Sequence, residues 1–388
     1  MKNILLLNKI AKVGTDRLDS TAYNIGTEVE KPEGIMVRSA KMHEMTFNPE
    51  LLAVARAGAG VNNIPVDRCA EEGIVVFNTP GANANGVKEL AICALLLASR
   101  KVVDGVNWAR SLNGTADVAK QVEAGKSQFG GCEIKGKTLG VIGLGAIGGL
   151  VANAAVALGM NVIGCDPYLS VDGAWNLDHR IQHAATYEQV FAASDYITLH
   201  VPATPQTKGM INATSLEGMK DGVKIINLAR AELVDSAAIA AAMESGRVGA
   251  YVTDFPTEET VAISGVITIP HLGASTEESE DNCAVMAAEE LDEFLRLGNI
   301  RNSVNYPAVS MPVTTSARIC VLHANVPAVL TQLAGVMGKR AINIENMVNK
   351  SKGDNAYTLL DINSELDDEA KAELAAIEGV RRVRVIAF

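Results

Sequence analysis

Three glycines, Gly143, Gly145 and Gly148, follow the apolar run 138–142 in the order G-x-G-x-x-G, and a second apolar run ends on Asp166. In this pattern the first glycine allows a tight turn, the second lets a diphosphate approach the backbone, and the third lets a helix pack against the strand. The helix N-terminus offers unpaired N–H groups to the anion, and the carboxylate accepts hydrogen bonds from ribose hydroxyls. The sequence therefore predicts a turn that binds a dinucleotide.

The residues after Asp166 indicate which dinucleotide binds. They are Pro167 and Tyr168, and neither is a cation. A 2′-phosphate on the ribose would meet an unshielded carboxylate, so the pattern favours NAD over NADP.

Three side chains that could take part in catalysis follow other apolar runs in the sequence: a guanidinium, an imidazole and a carboxylate. Arg230 and His271 each directly follow a run that is typical of a buried strand. A guanidinium binds a carboxylate and the adjacent oxygen through two parallel hydrogen bonds, and an imidazole exchanges a proton near neutral pH. Glu258 is predicted to hold the imidazole and favour its protonated form, although Glu259 is adjacent and remains an alternative. These residue types suit hydride and proton exchange at the hydroxyl group of a carboxylic acid.

These side chains belong to a predicted nucleotide-binding domain, residues 87–274. Apolar runs alternate there with helical patterns, which is typical of a doubly wound parallel sheet of the Rossmann type. One long helix, 87–112, is predicted to enter the domain, and 113–136 is predicted to be irregular. The predicted strands are 138–142, 161–165, 196–200, 223–228, 250–254 and 266–269. Because the carboxyl ends of parallel strands meet at one edge of a sheet, the candidate side chains are expected to lie there.

Residues 1–86 and 275–303 are predicted to form a second α/β domain, of the flavodoxin-like type, which binds the substrate. Three of its loops follow strand ends, where open α/β sheets bind ligands. Arg38 lies in the first loop, and residues 58–64 and 78–86 form the other two.

The last part of the chain predicts a third domain. Residues 304–316 contain Pro and Ser and are predicted to be a linker. Residues 317–388 then follow the order strand, helix, strand, strand, helix, strand, which is the ferredoxin-like α+β order. An exposed edge of such a sheet favours pairing, so a homodimer or homotetramer is expected.

Composition excludes several classes of protein. The chain has 388 residues, of which 48% are hydrophobic and 20% charged, and its net charge is −11. No basic run with interleaved aromatics is present, so nucleic-acid binding is not expected, and no apolar run approaches the length of a membrane span. The six cysteines have no metal-binding spacing, so we expect reduced thiols, no metal site and a cytoplasmic location.

Six segments occur in a set order between about residues 35 and 305: VRSA, GAGVNNI, VIGLGAIG, LHVPATPQT, INLARAELVD and PHLGAST. In this set the chain resembles the D-isomer-specific 2-hydroxyacid dehydrogenases. The resemblance implies an enzyme that uses NAD to oxidise a D-2-hydroxy acid. The VRSA loop implies that Arg38 faces a phosphate, with 3-phospho-D-glycerate as the expected substrate.

The resemblance also implies roles by position. Arg230, Glu258 and His271 take the catalytic roles. Around the cofactor it implies, besides the three glycines and Asp166, the residues Ala146, Ile147, His200, Val201, Pro202, Leu228, Ala229, Arg230, Thr253, Asp254, His271, Gly273 and Ala274. Around the substrate it implies Arg38, Ser39, Ala59, Gly60, Val61 and Asn62. The register near the nicotinamide amide is open, since either Thr253 or Asp254 fits the motif.

The C-terminal segments HANVPAVL and AINIENM resemble the ACT regulatory domain. This resemblance implies that His323, Asn325 and Asn343 bind an L-serine effector, and the alternative is a domain that serves only in oligomerisation. Ala328 stands where the motif usually has glycine.

Two alternative functions remain open for the whole chain. One is a hydroxypyruvate or glyoxylate reductase, and the other is a non-catalytic NAD-sensing protein on the same fold.

Overall fold

Three β-sheets organise the chain, and the computed structural model describes all of its residues, Met1–Phe388. The first sheet has five parallel strands in the order β2-β1-β3-β4-β5, which is the predicted flavodoxin-like order. Its central strands are buried on both faces, which explains their continuous apolar sequence. Its elements are β1 (Lys2–Leu6), α1 (Lys12–Thr15), β2 (Tyr23–Gly26), β3 (Gly34–Val37), β4 (Ala53–Arg56), α2 (Val66–Glu71) and β5 (Val75–Asn78).

The second sheet has seven parallel strands in the order β12-β11-β10-β9-β6-β7-β8, the doubly wound Rossmann arrangement that was predicted. Its strands are β6 (Thr138–Ile142), β7 (Asn161–Cys165), β8 (Gln182–His183), β9 (Tyr196–Leu199), β10 (Val223–Asn227), β11 (Val248–Thr253) and β12 (Val266–Thr268). Its helices are α3 (Ala84–Ser99), α4 (Val102–Ser111), α5 (Val118–Gly125), α6 (Ala146–Ala157), α7 (Val171–Trp175), α8 (Tyr187–Ala193), α9 (Ala213–Glu217), α10 (Ser236–Glu244) and α11 (Glu258–Ala262). The strand order reverses beside β6, so the crevice for a ligand lies past the carboxyl ends of β6 and β9.

The prediction of one helix over 87–112 was wrong, because the helix ends at Ser99 and α4 is separate. The Ser99 hydroxyl donates to the Leu95 carbonyl and contacts the Tyr196 hydroxyl, which fixes the end of α3 against the sheet. Residues 113–136 are not irregular throughout, since they contain α5 and a 3₁₀ turn, Lys126–Phe129.

The third sheet is antiparallel, in the order β14-β15-β13-β16, and the predicted ferredoxin-like order of elements is confirmed. The long helix α12 (Glu277–Leu297) precedes it. Its elements are β13 (Ala317–Ala324), α13 (Val329–Lys339), β14 (Asn346–Lys352), β15 (Asn355–Ile362), α14 (Asp368–Ala375) and β16 (Val380–Ala387).

The chain divides into two compact units, and each is described by itself. Unit 1 comprises Met1–Asn83 and Glu280–Phe388, and unit 2 comprises Ala84–Ser279. Unit 1 therefore includes both the five-stranded sheet and the antiparallel sheet. One face of the antiparallel sheet packs on α13 and α14, whereas its other face shares a core with the five-stranded sheet, where Tyr357 and Leu359 join Ile4.

Residues 304–316, for which we expected a linker, begin with a segment that packs along β5. The Asn305 side chain accepts a hydrogen bond from Val76 N (2.9 Å) and donates one to the Ile74 carbonyl (2.9 Å). The Tyr306 hydroxyl donates to the Ala70 carbonyl (2.7 Å). These contacts fasten the start of the segment to the first sheet.

No helix of the chain combines the length and apolar character needed to cross a membrane.

Candidate active site

The glycine turn follows β6 in unit 2, and each glycine has a geometric reason. Gly143 has φ 87°, and a Cβ there would lie 2.6 Å from the His200 carbonyl oxygen. A Cβ on Gly148 would lie 1.9 Å from the Gly143 carbonyl oxygen, so only glycine lets α6 pack this closely. A Cβ on Gly145 would meet no atom within 4 Å, which leaves open space before the helix. Helix α6 starts at Ala146 with no side-chain cap and no acid in its first turn, so its N–H groups are free for an anion.

Asp166 lies directly after β7, beside this turn. Its carboxylate accepts hydrogen bonds from Leu144 N and Tyr168 N, both at 2.9 Å. These bonds fix the carboxylate and leave lone pairs for further donors. The next cation along the chain, Arg180, is held by Asp178 through two side-chain hydrogen bonds. Nothing in this arrangement supplies a partner for a ribose phosphate.

The predicted cofactor residues gather at the carboxyl edge of this sheet. They directly precede or follow its strand ends: Ala146 and Ile147 after β6, His200 to Pro202 after β9, Leu228 to Arg230 after β10, Thr253 and Asp254 at the end of β11, and His271 to Ala274 after β12. The His200 ring contacts the Thr198 hydroxyl at 2.9 Å. Burial lowers the pKa of His200 to about 4, so this ring is neutral at physiological pH.

Arg230 stands on a loop that a buried asparagine shapes. The Asn227 carboxamide oxygen accepts from Ala229 N and Arg230 N, and its nitrogen donates to the Arg230 carbonyl. The guanidinium itself donates to the Ala229 carbonyl (2.6 Å), and its carbon lies 6.0 Å from the centre of the Phe255 ring. No carboxylate forms an ion pair with it, so its charge is available to an anionic ligand.

His271 has a strained backbone, with φ 45°. Its N–H donates to the Asp254 and Ile269 carbonyls, both at 2.9 Å, and these bonds hold the strained residue in place. Its ring packs against Phe255, with the ring centres 4.7 Å apart. The imidazole is exposed, and no carboxylate lies within 4.0 Å of its nitrogens. The structure therefore does not bring Glu258, the first residue of α11, into the expected contact with His271.

Thr253 and Asp254, at the end of β11, differ in whether a side-chain oxygen is left without a hydrogen-bond partner. The Thr253 hydroxyl accepts a hydrogen bond from Phe255 N. Asp254 is only 1% exposed, and one carboxylate oxygen accepts from Gly273 N while the other has no partner. Burial raises the pKa of Asp254. Asp254 thus offers a free buried acceptor, and Thr253 does not.

In unit 1, the loop that carries Arg38 is shaped by Asn8. The Asn8 carboxamide oxygen accepts from three successive backbone N–H groups, those of Arg38, Ser39 and Ala40. The Arg38 guanidinium forms an ion pair with Glu280 at 2.6 Å, and both side chains are about two-fifths exposed. The Arg56 side chain donates to the Arg38 carbonyl (3.2 Å).

A cavity of about 550 Å³ opens beside this loop. Its lining contains three permanent cations, one imidazole and no carboxylate: Arg38, Lys41, Arg56, His43, Ser39, Asn62 and Asn63. Gly58, in the next loop, has φ 145°, and a Cβ there would overlap the Arg56 guanidinium. The neighbouring Ala59 carbonyl accepts from the Asn78 side chain, which fixes the loop that continues through Gly60, Val61 and Asn62. Lys41, His43 and Arg56 were not predicted, although all lie within a few residues of predicted positions.

Comparison with known proteins identifies the family. Residues 94–273 match the model of the D-isomer specific 2-hydroxyacid dehydrogenase, NAD binding domain. The chain is 32% identical over 337 residues to D-3-phosphoglycerate dehydrogenase 2 of Saccharomyces cerevisiae, a match that covers 80% of this chain and 68% of the relative. The chain belongs to the D-isomer-specific 2-hydroxyacid dehydrogenase family.

Two further similar proteins extend the comparison. D-3-phosphoglycerate dehydrogenase of Archaeoglobus fulgidus is 37% identical over 297 residues, which cover 73% of this chain and 53% of the relative. The chain thus spans about half the length of that relative. The crystal structure of NAD⁺-bound 3-phosphoglycerate dehydrogenase from Entamoeba histolytica superposes with a TM-score of 0.61 at 26% identity, covering 78% of this chain and 98% of that chain.

The C-terminal residues that we expected to bind an effector have separate partners in this family member. His323 is 3% exposed, and its two ring nitrogens contact the Ala324 carbonyl (2.7 Å) and the Thr358 hydroxyl (2.9 Å). Asn325 donates to the Gly353 carbonyl, and Asn343 donates to Glu345. The His323 ring is therefore enclosed, whereas both asparagines are at least partly exposed.

Proposed function

We propose that this 2-hydroxyacid dehydrogenase uses NAD⁺ to oxidise 3-phospho-D-glycerate to 3-phosphooxypyruvate, the first step of L-serine synthesis. Membership of the family supports the reaction class. The names of the yeast and archaeal relatives support the substrate.

The observation that carries the substrate is the cationic cavity in unit 1. Its lining holds Arg38, Lys41 and Arg56, of which Arg38 also forms a partly exposed ion pair with Glu280, outside the lining. Guanidinium and ammonium groups bind phosphate through charge-assisted hydrogen bonds, and a phosphate carries the charge to match them. Glyoxylate and hydroxypyruvate carry a single carboxylate, for which Arg230 is proposed, so a reductase for them does not need a second group of cations. A protein that only senses NAD has no use for it either.

Arg230 and His271 divide the chemistry at the reacting carbon. Arg230, which has no internal counter-ion, binds the substrate carboxylate and the oxygen at C2, and it stabilises negative charge on that oxygen. A ring nitrogen of His271 takes the proton of the C2 hydroxyl group. Phe255 touches the His271 ring and limits its orientation. We assign Glu258 to stabilise the imidazolium on the family resemblance, since Glu258 begins α11 and makes no contact with His271 in this structure.

The residues of unit 2 fit NAD. The open space at Gly145 and the uncapped α6 suit the diphosphate, and Asp166 suits the ribose hydroxyls. The free oxygen of buried Asp254 suits an amide N–H, so we assign Asp254 rather than Thr253 to the nicotinamide carboxamide. When bound, NAD⁺ accepts the hydride from C2.

The test compares Arg38→Gln with a Lys12→Gln control, which removes a charge from an exposed helix of the same unit. Steady-state NADH formation is measured with 3-phospho-D-glycerate and with D-glycerate. We expect Arg38→Gln to lower kcat/KM for the phosphorylated substrate about 50-fold, with little change for D-glycerate, because a charge-assisted bond to the phosphate is lost. Equal losses on both substrates would contradict the role of Arg38, and no turnover by the unmodified chain would remove the proposed reaction.

We also infer that L-serine inhibits the enzyme through the C-terminal domain, an inference that rests on the ACT resemblance. The partly exposed amides of Asn325 and Asn343 support it, and the enclosed His323 is assigned a structural role. Millimolar L-serine in the same assay tests this inference. Unchanged turnover would leave the domain a role in assembly alone.

A homo-oligomer is supported by the segment after α3. Neither α4 nor α5 has a buried residue, and Val102, Val106 and Val118 are each more than two-fifths exposed. A second copy of the chain would cover these apolar side chains. Sedimentation equilibrium is expected to give a dimer or tetramer.

A cytoplasmic location is supported by the six cysteines, all of which are free thiols.

A further inference from the structure

A groove of about 1040 Å³ runs along β16, which is one of the two edge strands of the antiparallel sheet. It lies entirely within unit 1. Besides β16, its walls are the end of α12, the start of β1 and residues 33 and 49–52. None of its lining residues belongs to the cavity beside Arg38.

The groove concentrates positive charge in an acidic chain. Five cations and two carboxylates line it: Lys2, Arg296, Arg381, Arg382, Arg384, Glu33 and Glu50. Both carboxylates have partners, since Glu33 accepts from Asn3 N and lies 3.8 Å from the Lys2 ammonium, and Glu50 lies 3.6 Å from the Lys31 ammonium. The Arg296 guanidinium lies 3.5 Å from the Asp292 carboxylate. The internal ion pairs therefore account for Lys2 and Arg296, and the three guanidinium groups of β16 remain without a carboxylate partner.

The three arginines of β16 are held in place by neutral groups. Arg382 donates to the Pro49 and Glu72 carbonyls, and Arg384 donates to the Phe294 and Leu295 carbonyls. Neither guanidinium has a carboxylate partner, and Arg381 has none. Carbonyl oxygens orient a guanidinium but do not neutralise its charge, so the attraction for an anion persists.

An irregularity in β16 gathers these arginines on one side. Leu322 pairs with Arg382 and His323 pairs with Val380, so Arg381 is the extra residue of a β-bulge. The bulge turns Arg381 toward the first sheet, where it reaches the Ala70 carbonyl (3.1 Å). Because β16 is an edge strand, alternate N–H groups on its outer side lack ladder partners and add further donors.

We propose that this groove binds a compact polyanion, such as a polyphosphate or a polycarboxylate, at the junction between the antiparallel sheet and the first sheet. None of its lining residues is among those proposed for the dehydrogenase reaction. Burial lowers the pKa of Arg382, and burial together with the charge of Arg384 lowers the pKa of Lys2. Burial is the larger cause of both shifts, and the like charge of Arg384 adds to each.

The experiment uses the full chain with Arg38→Gln as background, so that the cavity beside Arg38 contributes little. Inorganic pyrophosphate and citrate are titrated separately by isothermal calorimetry at constant ionic strength. We expect saturable binding of at least one of them. Binding of pyrophosphate alone assigns the site to phosphates, and binding of both assigns it to polyanions in general.

Two double variants decide whether the groove is responsible. Lys2→Gln with Arg296→Gln removes two rim charges and leaves the arginine contacts of β16 intact, and Lys12→Gln with Lys371→Gln removes the same charge from exposed positions elsewhere in unit 1. The first pair is expected to weaken binding about tenfold and the second pair hardly at all. Absence of saturable binding, or equal weakening by both pairs, would overturn the proposal. Turnover of 3-phospho-D-glycerate is measured apart from these titrations, so failure of the proposed function would leave the result unaffected.

Discussion

At the residue scale, the side chains proposed for binding and catalysis are positioned by neighbouring side chains that take no part in the reaction. Asn8 orients the Arg38 loop, Asn227 orients the Arg230 loop, and Phe255 packs on His271. The motifs predicted Arg230 and His271 because each directly follows a strand. They did not predict Asn8, whose contact with the Arg38 loop spans about 30 residues of sequence. The sequence offered one signal for Asn8, which is its position shortly after the end of β1.

Glu290 gives a prediction about pH. It lies on α12, it is 2% exposed, and one of its oxygens has no hydrogen-bond partner. Burial raises the pKa of its carboxyl group to about 7, against the effects of the Asn302 hydrogen bond and Arg301, while Glu289 and Glu293 add to the rise. The folded state therefore binds this proton more tightly than the unfolded state does. The stabilising contribution is complete below the unfolded pKa and is lost as the pH rises through about 7.

Glu290→Gln keeps the acceptor for Asn302 and removes the charge. We expect this variant to be about 2 kcal/mol more stable than the unmodified chain at pH 8, and to match it near pH 5, where Glu290 is protonated. Urea unfolding at the two pH values measures the difference. A stability gain that is the same at both pH values would contradict this account of Glu290.

At the element scale, buried strands were predicted well and short polar elements were not. The bounds of β3, β6 and β7 agree with the apolar runs, because each is a continuous run in a parallel sheet that is covered on both faces. The break after Ser99 carries no Gly or Pro signal. It depends on the contact between Ser99 and Tyr196, which lie 97 residues apart in the chain. Local sequence cannot report such a contact.

The start of α13 gives a prediction about Ala328. This residue precedes the helix with φ 67°, a left-handed conformation in which a Cβ is strained. Ala328→Gly is expected to stabilise the chain by about 0.5–1 kcal/mol, since relief of strain exceeds the added freedom of the unfolded chain. Thermal unfolding measures it, with Ala372→Gly in α14 as a control in which the same substitution destabilises a helix interior. A loss of stability for Ala328→Gly would show that the strain is not significant.

At the scale of the molecule, a buried ion pair fastens the antiparallel sheet to the rest of unit 1. Arg318 and Asp361 are both fully buried and form two parallel hydrogen bonds of 2.7 and 2.9 Å. The guanidinium also donates to the Leu297 and Pro312 carbonyls. The pair thus connects β13 and β15 to the end of α12.

We expect Asp361→Leu or Arg318→Met to destabilise unit 1 by about 3–5 kcal/mol, because each leaves one buried charge without its partner. Arg318→Met combined with Asp361→Leu is expected to cost less than either single change, since no isolated charge remains. Chemical unfolding of the three variants measures the coupling. Additive costs would mean that the two side chains stabilise the unit independently.

The shared core of unit 1 has a consequence for the order of folding during synthesis. Unit 2 is one continuous stretch, Ala84–Ser279, whereas the core of unit 1 joins Ile4 to Tyr357 and Leu359. At a ribosome rate of about 5–20 residues per second, the first sheet waits roughly 15–60 s for β13 and β15 to emerge. The strands of the first sheet thus complete their packing only after β13 and β15 have emerged, and the apolar face that β13 and β15 cover stays exposed during that interval.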